Sequence, residues 1–448
     1  METTKESFCG VVRSQVRPFN HFTVSANNIT SLTHKMKKLI LISLLLIPFG
    51  LYAQDANWRG PNRDGHYAEK GLLKTWPEHG PARILTIEGI GRGFSSVSVA
   101  NQTIFATGMK DTLDYLSAFA MDGTRKWQVS YGRAWRNSYP DTRSTPIVEG
   151  KRIYLVSGTG ELVCLSTDDG QKIWSVNVDQ DFGADWHRWG VAESPLIVDD
   201  MVICTPGGKQ TTVVAFDKMT GKLIWKSKAV DAERSYVSPT LYQYKDHRFI
   251  LAMTSKHLIA VNPQNGSIQW QYEYFKPEWS DRSSLILTNT PIYHQDEIFI
   301  SKGYDYPSVM LKVDPAGTAV TEKWVNRTLD THHGGFVYLD GYLYGSNWQN
   351  NRMGNWVCLD WETGAVQYET KWFNKGSLIH ADGRFYCYEE KSGNVALVKP
   401  DPKEFTVVSS FKVDKGSGPY WAHPTIYDGK LFIRHGDVLM VYSISENG

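Results

Sequence analysis

The sequence predicts an all-β protein: a closed ring of eight four-stranded antiparallel blades. Three observations predict it. Short β-branched and aromatic runs alternate with Gly, Asn and Asp every ten residues or so, the punctuation of strands joined by tight turns. One composite motif recurs along the chain at nearly constant spacing, the signature of a repeat architecture. An apolar strand near the N-terminus has no hairpin partner, while the last repeat ends without its fourth strand. Composition agrees. The 448 residues are 41% hydrophobic and 13% aromatic, with 16 Trp and 23 Tyr, a usage that suits strands. The net charge of +1 offers no basic stripe for nucleic acid and no acidic tail.

Residues 1–53 are set apart from the fold. Met36-Lys37-Lys38 precedes LILISLLLIPFGLYA, ending at Ala53. A basic region, an apolar core and a small terminal residue describe a secretory signal, and Met36 is the expected true start. Pro48 and Gly50 interrupt an apolar run already short for a membrane span. The expected product is an exported, periplasmic or extracellular chain with one domain, 54–448, monomeric and without an integral membrane segment.

Within that domain, Lys151–Val176 shows the repeat most clearly. Ile153–Ser157 is a strand, Gly158-Thr159-Gly160 a turn, Leu162–Leu165 a second strand, Asp168-Asp169-Gly170 a turn, and Lys172-Ile173-Trp174 begins a third. The turn and its closing aromatic recur at Gly123 and Trp127, Gly170 and Trp174, Gly221 and Trp225, Gly266 and Trp270, Gly317 and Trp324, then Gly364 and Tyr368. These aromatics stand 47, 51, 45, 54 and 44 residues apart, each interval the length of a four-stranded unit. A weaker copy follows at Phe385–Asp401, and an eighth opens at Leu431–Ile444. The first strand of each unit is marked by Ser/Thr-Pro, as at Thr145-Pro146, Ser194-Pro195, Ser238-Pro239, Thr290-Pro291 and His423-Pro424. Proline is tolerated at a strand's first residue. Radial repetition of such units gives an eight-bladed β-propeller, and Ala82–Ile87 is expected to supply the last blade's outer strand and close the ring.

Aligning the repeats pairs the cysteines. Cys164 and Cys358 fall ten residues before a closing aromatic, and Cys204 and Cys387 fall ten after the Ser that opens the following unit. Two readings stay open: small buried core residues, or two inter-blade disulfides in an exported protein.

Asp-x-x-Gly-x-x-x-Trp with the Ser/Thr-Pro opening resembles the pyrroloquinoline-quinone (PQQ) repeat, the blade unit of quinoprotein alcohol dehydrogenases and of non-enzymatic propellers such as the outer-membrane barrel-assembly lipoprotein. WRGPNRDG (Trp58–Gly65) is similar to the N-terminus of exported bacterial proteins with such repeats. The resemblance covers residues 58–445 and implies that Trp127, Trp174, Trp225, Trp270 and Trp324 pack between neighbouring blades.

Fold does not fix function. The usable surface of such a ring is the channel mouth, where the loops entering the first strands converge. Those loops carry Arg92, Phe94, Tyr139, Asp141 and Arg143; then Trp186, His187, Arg188 and Trp189 with Glu193; then Arg234 and Tyr236. Asn289, His332, His333, Lys375, Tyr420, Trp421 and His423 complete the set. Aromatics that stack and Arg that pairs with carboxylate make a candidate binding site. His332-His333 is the best metal candidate, although adjacent histidines on a strand point apart, so no metal site is expected. The family's enzymes imply a vicinal disulfide over the quinone, a Trp beneath it, Ca²⁺ held by Glu and Asn, and an Asp base. The chain has no Cys-Cys pair, and Glu193, Asn289, Asp141 and Trp421 match no family spacing. The expected function is therefore an exported scaffold binding a small molecule or protein at its mouth. The alternative is a PQQ- and calcium-dependent dehydrogenase oxidising an alcohol or sugar.

Overall fold

The computed structural model describes residues 56–184, 188–279 and 286–446. The expected leader lies outside them, as do Trp186 and His187. Among the described residues no helix is long and apolar enough to cross a membrane.

The described residues form eight four-stranded antiparallel blades arranged as a propeller, blade seven carrying a short fifth strand in parallel. Blade one comprises Ser98–Ala100, Thr103–Lys110, Leu113–Ala120 and Arg125–Arg133, and its strands pair in chain order. Blades two to seven repeat this order, opening at Ile147, Leu196, Thr240, Ile292, Phe336 and Gly376. Blade eight takes three strands from the C-terminus (Thr425–Tyr427, Lys430–His435, Val438–Ser443) and its outer strand, Arg83–Ile87, from the N-terminus. The predicted closure is thus the one observed.

The third and fourth strands shift register in every blade, once in seven of them, as between Lys172 and Trp174 or Cys358 and Leu359, and twice in blade one. A bulge bends the strand and re-aims the next side chain. In blade two it turns Ile173 out to solvent and swings Trp174 against blade three, where its indole N–H donates to the Lys218 carbonyl (3.1 Å). Trp127, Trp225 and Trp324 donate likewise to Thr167, Pro263 and Trp361 of the following blades. The turn glycine beside each acceptor is required: a Cβ on Gly221 would stand 2.7 Å from the Trp174 ring. The closing strand keeps this register. Ile84 is exposed at the bulge and Leu85 lies over Gly123 of blade one.

Trp270 differs. It is buried, but its indole N–H lacks a partner and Gly317 lies against His247 instead. The His247 Nε2 approaches the Pro315 carbonyl (3.0 Å), the bond tryptophan makes elsewhere.

The core is not central. Eight apolar clusters each join one consecutive pair of blades, blade eight to blade one included, as stability by neighbour interfaces demands. Cys164 and Cys204 share the cluster between blades two and three, Cys358 and Cys387 that between six and seven. All four are free and buried.

The segment before the closing strand crosses the ring's interior. Ala56 exchanges both backbone hydrogen bonds with Val148 of blade two (2.9 Å each), and His66–Tyr67 pairs in parallel with His380 and Ala381 of blade seven. Between them Arg59 and Arg63 adopt left-handed backbone (φ 60° and 61°), a conformation that costs ~1–2 kcal/mol per residue. Buried hydrogen bonds offset it. Arg59 donates to the Gly334 (3.3 Å) and Phe336 (2.8 Å) carbonyls of blade six. Arg63 donates to the carbonyls of Ser194 (3.0 Å), Pro195 and Pro239 (2.9 Å) in blades three and four. Residues 56–67 plug the channel.

Candidate functional site

First strands begin, and second strands end, on the same face of a propeller, so two sets of loops surround its mouth. Here they enclose a cavity of about 780 Å³, within the range of small-ligand sites. Trp58 reaches it from the plug and packs edge-on against His423 (5.4 Å).

Its wall is aromatic. Tyr236, Trp189, Tyr139, Trp421 and Phe94 form a chain of ring contacts with centroids 4.9–6.2 Å apart, and His333 extends it from Trp421 (5.1 Å). Tyr139 is 57% exposed and held at φ 51°. Strain kept at an exposed aromatic is typical of ligand-contacting positions. Positive charge interleaves the rings: Arg143 lies over Phe94 (5.7 Å) and Arg188 over Trp189 (5.8 Å), with Arg352 and Lys391 also on the lining. Arg143 is bound through the Tyr139 and Asp141 carbonyls. Burial pushes its pKa down to about 10, which leaves it charged at neutral pH.

One side of the cavity holds a polar cluster. The Glu390 Oε1 accepts from the Lys375 ammonium (2.8 Å), while its Oε2 stands 3.1 Å from His333 Nε2 and 4.0 Å from His332 Nδ1. The His332 Nε2 is held by the Tyr304 hydroxyl (2.9 Å). Lys375 is anchored from behind by the Asn350 carbonyl (2.9 Å). Burial raises the Glu390 pKa against the opposing pull of Lys375. It lowers His332 well below the ordinary imidazole range, helped by His333 and Lys375, and lowers His333 to about 3, helped by Lys375. Both imidazoles are neutral at physiological pH. They sit in a bend rather than a strand, so the alternation that would point them apart does not apply, and their rings lie 4.2 Å apart.

Of the residues the sequence singled out, Arg143, Arg188, Trp189, Tyr236, His332, His333, Trp421 and His423 line the cavity, and Lys375 lies behind Glu390. Glu193 and Asn289 do not reach it. Glu193 accepts from the Thr205 N–H (2.9 and 3.1 Å) and faces Arg234 in a buried group with Asp179. Asn289 donates to the Thr331 and His332 carbonyls and accepts from the Gly335 N–H, shaping the histidine bend from beneath. Sequence reasoning passed over Trp58, Tyr304, Arg352, Glu390 and Lys391. Four of these lie between second and third strands, and the long connections of blades five and six (Ile300 to Ser308, Ser346 to Trp356) were the available signal.

The calcium-quinone chemistry of the quinoprotein enzymes does not fit these residues. Ca²⁺ takes six to eight oxygens, yet among the described residues Glu390 is the only carboxylate on the cavity lining, and it is paired with Lys375. Asp141 pairs with Arg92 (3.1 Å), Glu193 and Asn289 are committed elsewhere, and all four described cysteines lie within the blades.

The family described as "Outer membrane protein assembly factor BamB" matches residues 112–370, more than half of the chain. A search of curated proteins found no match. Among solved structures the chain is similar to BamB from Moraxella catarrhalis (14% identity, TM-score 0.55, covering 81% of this chain and 97% of that one). It is also similar to quinohemoprotein alcohol dehydrogenase from Comamonas testosteroni (10% identity, TM-score 0.60, 86% and 79%) and to a europium-containing methanol dehydrogenase (12% identity, TM-score 0.57, 85% and 90%). At these identities the likeness is one of fold.

Proposed function

Since the chain belongs to the PQQ-repeat propeller family described as outer membrane protein assembly factor BamB, we propose that it is an exported, non-quinoprotein binding propeller. Its mouth takes a small molecule bearing a carboxylate and a flat aromatic or sugar face. The observation that carries this reading is the plugged cavity of about 780 Å³, where aromatic rings in edge and tilted contact alternate with Arg143 and Arg188. Rings supply face-on contact and guanidinium pairs with carboxylate. The Met36–Ala53 pattern supports export. The test is a thermal-shift series with benzoate-, indole- and uronate-type acids. A ligand at one hundred times its Kd stabilises the native state by about 2.7 kcal/mol. The expected shift is lost in Arg188→Ala; stabilisation that survives this substitution counts against the site.

The family description favours a second reading, a protein partner at the same face. Retention of one partner from periplasmic extract, abolished by Tyr139→Ala, would support it over the first. A shift with PQQ plus Ca²⁺ that neither gives alone would instead restore the dehydrogenase alternative.

A further inference from the structure

We propose that His332, His333 and Glu390 form a binding site for one zinc-class transition-metal ion, with an open coordination position facing the mouth cavity. One ligand atom each from His332, His333 and Glu390 lie within 4.8 Å of one another, and the nitrogens that approach Glu390 are His332 Nδ1 and His333 Nε2. Both nitrogens are buried and lack a hydrogen-bond partner, an unusual state for imidazole. Tetrahedral zinc with ligands ~2.0–2.2 Å away sets its ligand atoms about 3.3 Å apart. The 3.1 Å His333–Glu390 separation already meets this, and the 4.0 Å His332–Glu390 separation needs a small ring rotation.

The surroundings are those of a metal ligand set. A ligating histidine is normally oriented by a hydrogen bond to its other nitrogen, and the Tyr304 hydroxyl does this for His332. Asn289 fixes the bend that presents both rings, bonding the carbonyls on either side of His332. Two imidazoles and one carboxylate select zinc, cobalt or nickel over calcium or magnesium. Three protein ligands leave a fourth position, as in catalytic rather than structural zinc sites. All three residues line the cavity, so that position is open to the carboxylate of a bound ligand. To that extent the inference rests on the binding reading above.

Lys375 sets the affinity. Its ammonium lies 2.8 Å from Glu390 Oε1, leaving Oε2 for the metal but placing a positive charge beside it. Repulsion between two cations at such a separation is substantial inside a protein. Lys375→Gln therefore tightens binding by about tenfold or more, an outcome with no counterpart if the histidines serve only packing.

The test is titration of untagged, chelator-stripped protein with Co²⁺, followed by displacement with Zn²⁺. One Co²⁺ per chain is expected, with the visible absorption of a tetrahedral nitrogen–oxygen site, bleached by one equivalent of Zn²⁺. His333→Ala abolishes the spectrum. Tyr304→Phe weakens binding by about 10–100-fold while leaving the metal-free unfolding midpoint near that of the parent. His79→Ala, at an exposed position, changes nothing. Absence of saturable binding, or a spectrum that persists in His333→Ala, would overturn the inference. Ligand-induced thermal shifts of stripped protein would then still stand or fall separately, which distinguishes this failure from failure of the binding reading.

Discussion

Arg63 is the point at which the plug is fixed, and Arg63→Met is its sharpest test. The guanidinium is 2% exposed and serves the carbonyls of Ser194, Pro195 and Pro239. Methionine preserves much of the stem but leaves the three carbonyls without this donor, at ~1–3 kcal/mol each. Part of that is returned, because a buried charge is also removed. Burial, opposed by Glu193, holds the Arg63 pKa down to about 10, and at 1.36 kcal/mol per unit the relief is about 3 kcal/mol. At the middle of that range, about 2 kcal/mol for each carbonyl, the expected net loss is about 3 kcal/mol. Denaturant unfolding measures it as a lower midpoint with an unchanged slope. Because Trp58 follows the plug into the cavity, affinity for a mouth ligand is expected to fall as well. A stability loss under about 1 kcal/mol with intact binding would refute the plug's structural role.

The remaining predictions concern the blades and their titrating groups. Gly221→Ala, at φ 71° with its Cβ 2.7 Å from the Trp174 ring, is expected to cost ~1–3 kcal/mol in an unfolding titration. Alanine at the half-buried Gly71, also left-handed but with open space around its Cβ position, is expected to cost less, isolating the inter-blade contact. His380 is pressed down to about 4 by burial, then by His66 and Lys70. The unfolded chain therefore takes up this proton near pH 6.5 and the folded one only near pH 4, so stability is lost as pH falls through that interval. His380→Asn is expected to flatten the stability profile there by up to about 1.4 kcal/mol per pH unit; an unaltered profile contradicts the shift. Denatured, unreduced protein spanning residues 54–448 is expected to release four thiols to a thiol reagent and the native form none, since Cys164, Cys204, Cys358 and Cys387 are free and buried.

The propeller was legible because its determinants are local and repeated. Asp, Gly and Trp at fixed offsets specify turn, bulge and wedge in each blade, and the unpartnered Arg83–Ile87 run had one vacant edge to fill. His247 standing in for Trp270 was not legible, because two side chains from different strands compete for one acceptor and only packing chooses between them. The plug was invisible for a different reason. Arg59 and Arg63 act on carbonyls 131 to 277 residues away, and nothing in WRGPNRDG itself names those partners. At the mouth, loops entering first strands were read and those leaving second strands were not. Half the wall was therefore found and Glu390, the group that gathers both histidines and Lys375, was missed. Glu193 and Asn289 show the converse error: a polar residue beside a mouth loop can point into the scaffold and hold it.

We propose that the ring-lined cavity with Arg143 and Arg188 on its wall binds a small carboxylate ligand. Tryptophan fluorescence tests it most directly, because Trp58, Trp189 and Trp421 line the cavity while Trp127, Trp174 and Trp225 lie between blades. Titration with indole- and uronate-type acids is predicted to give saturable quenching that Trp189→Ala reduces and Arg188→Ala abolishes. Fluorescence indifferent to every such acid, or quenching untouched by both substitutions, would contradict it.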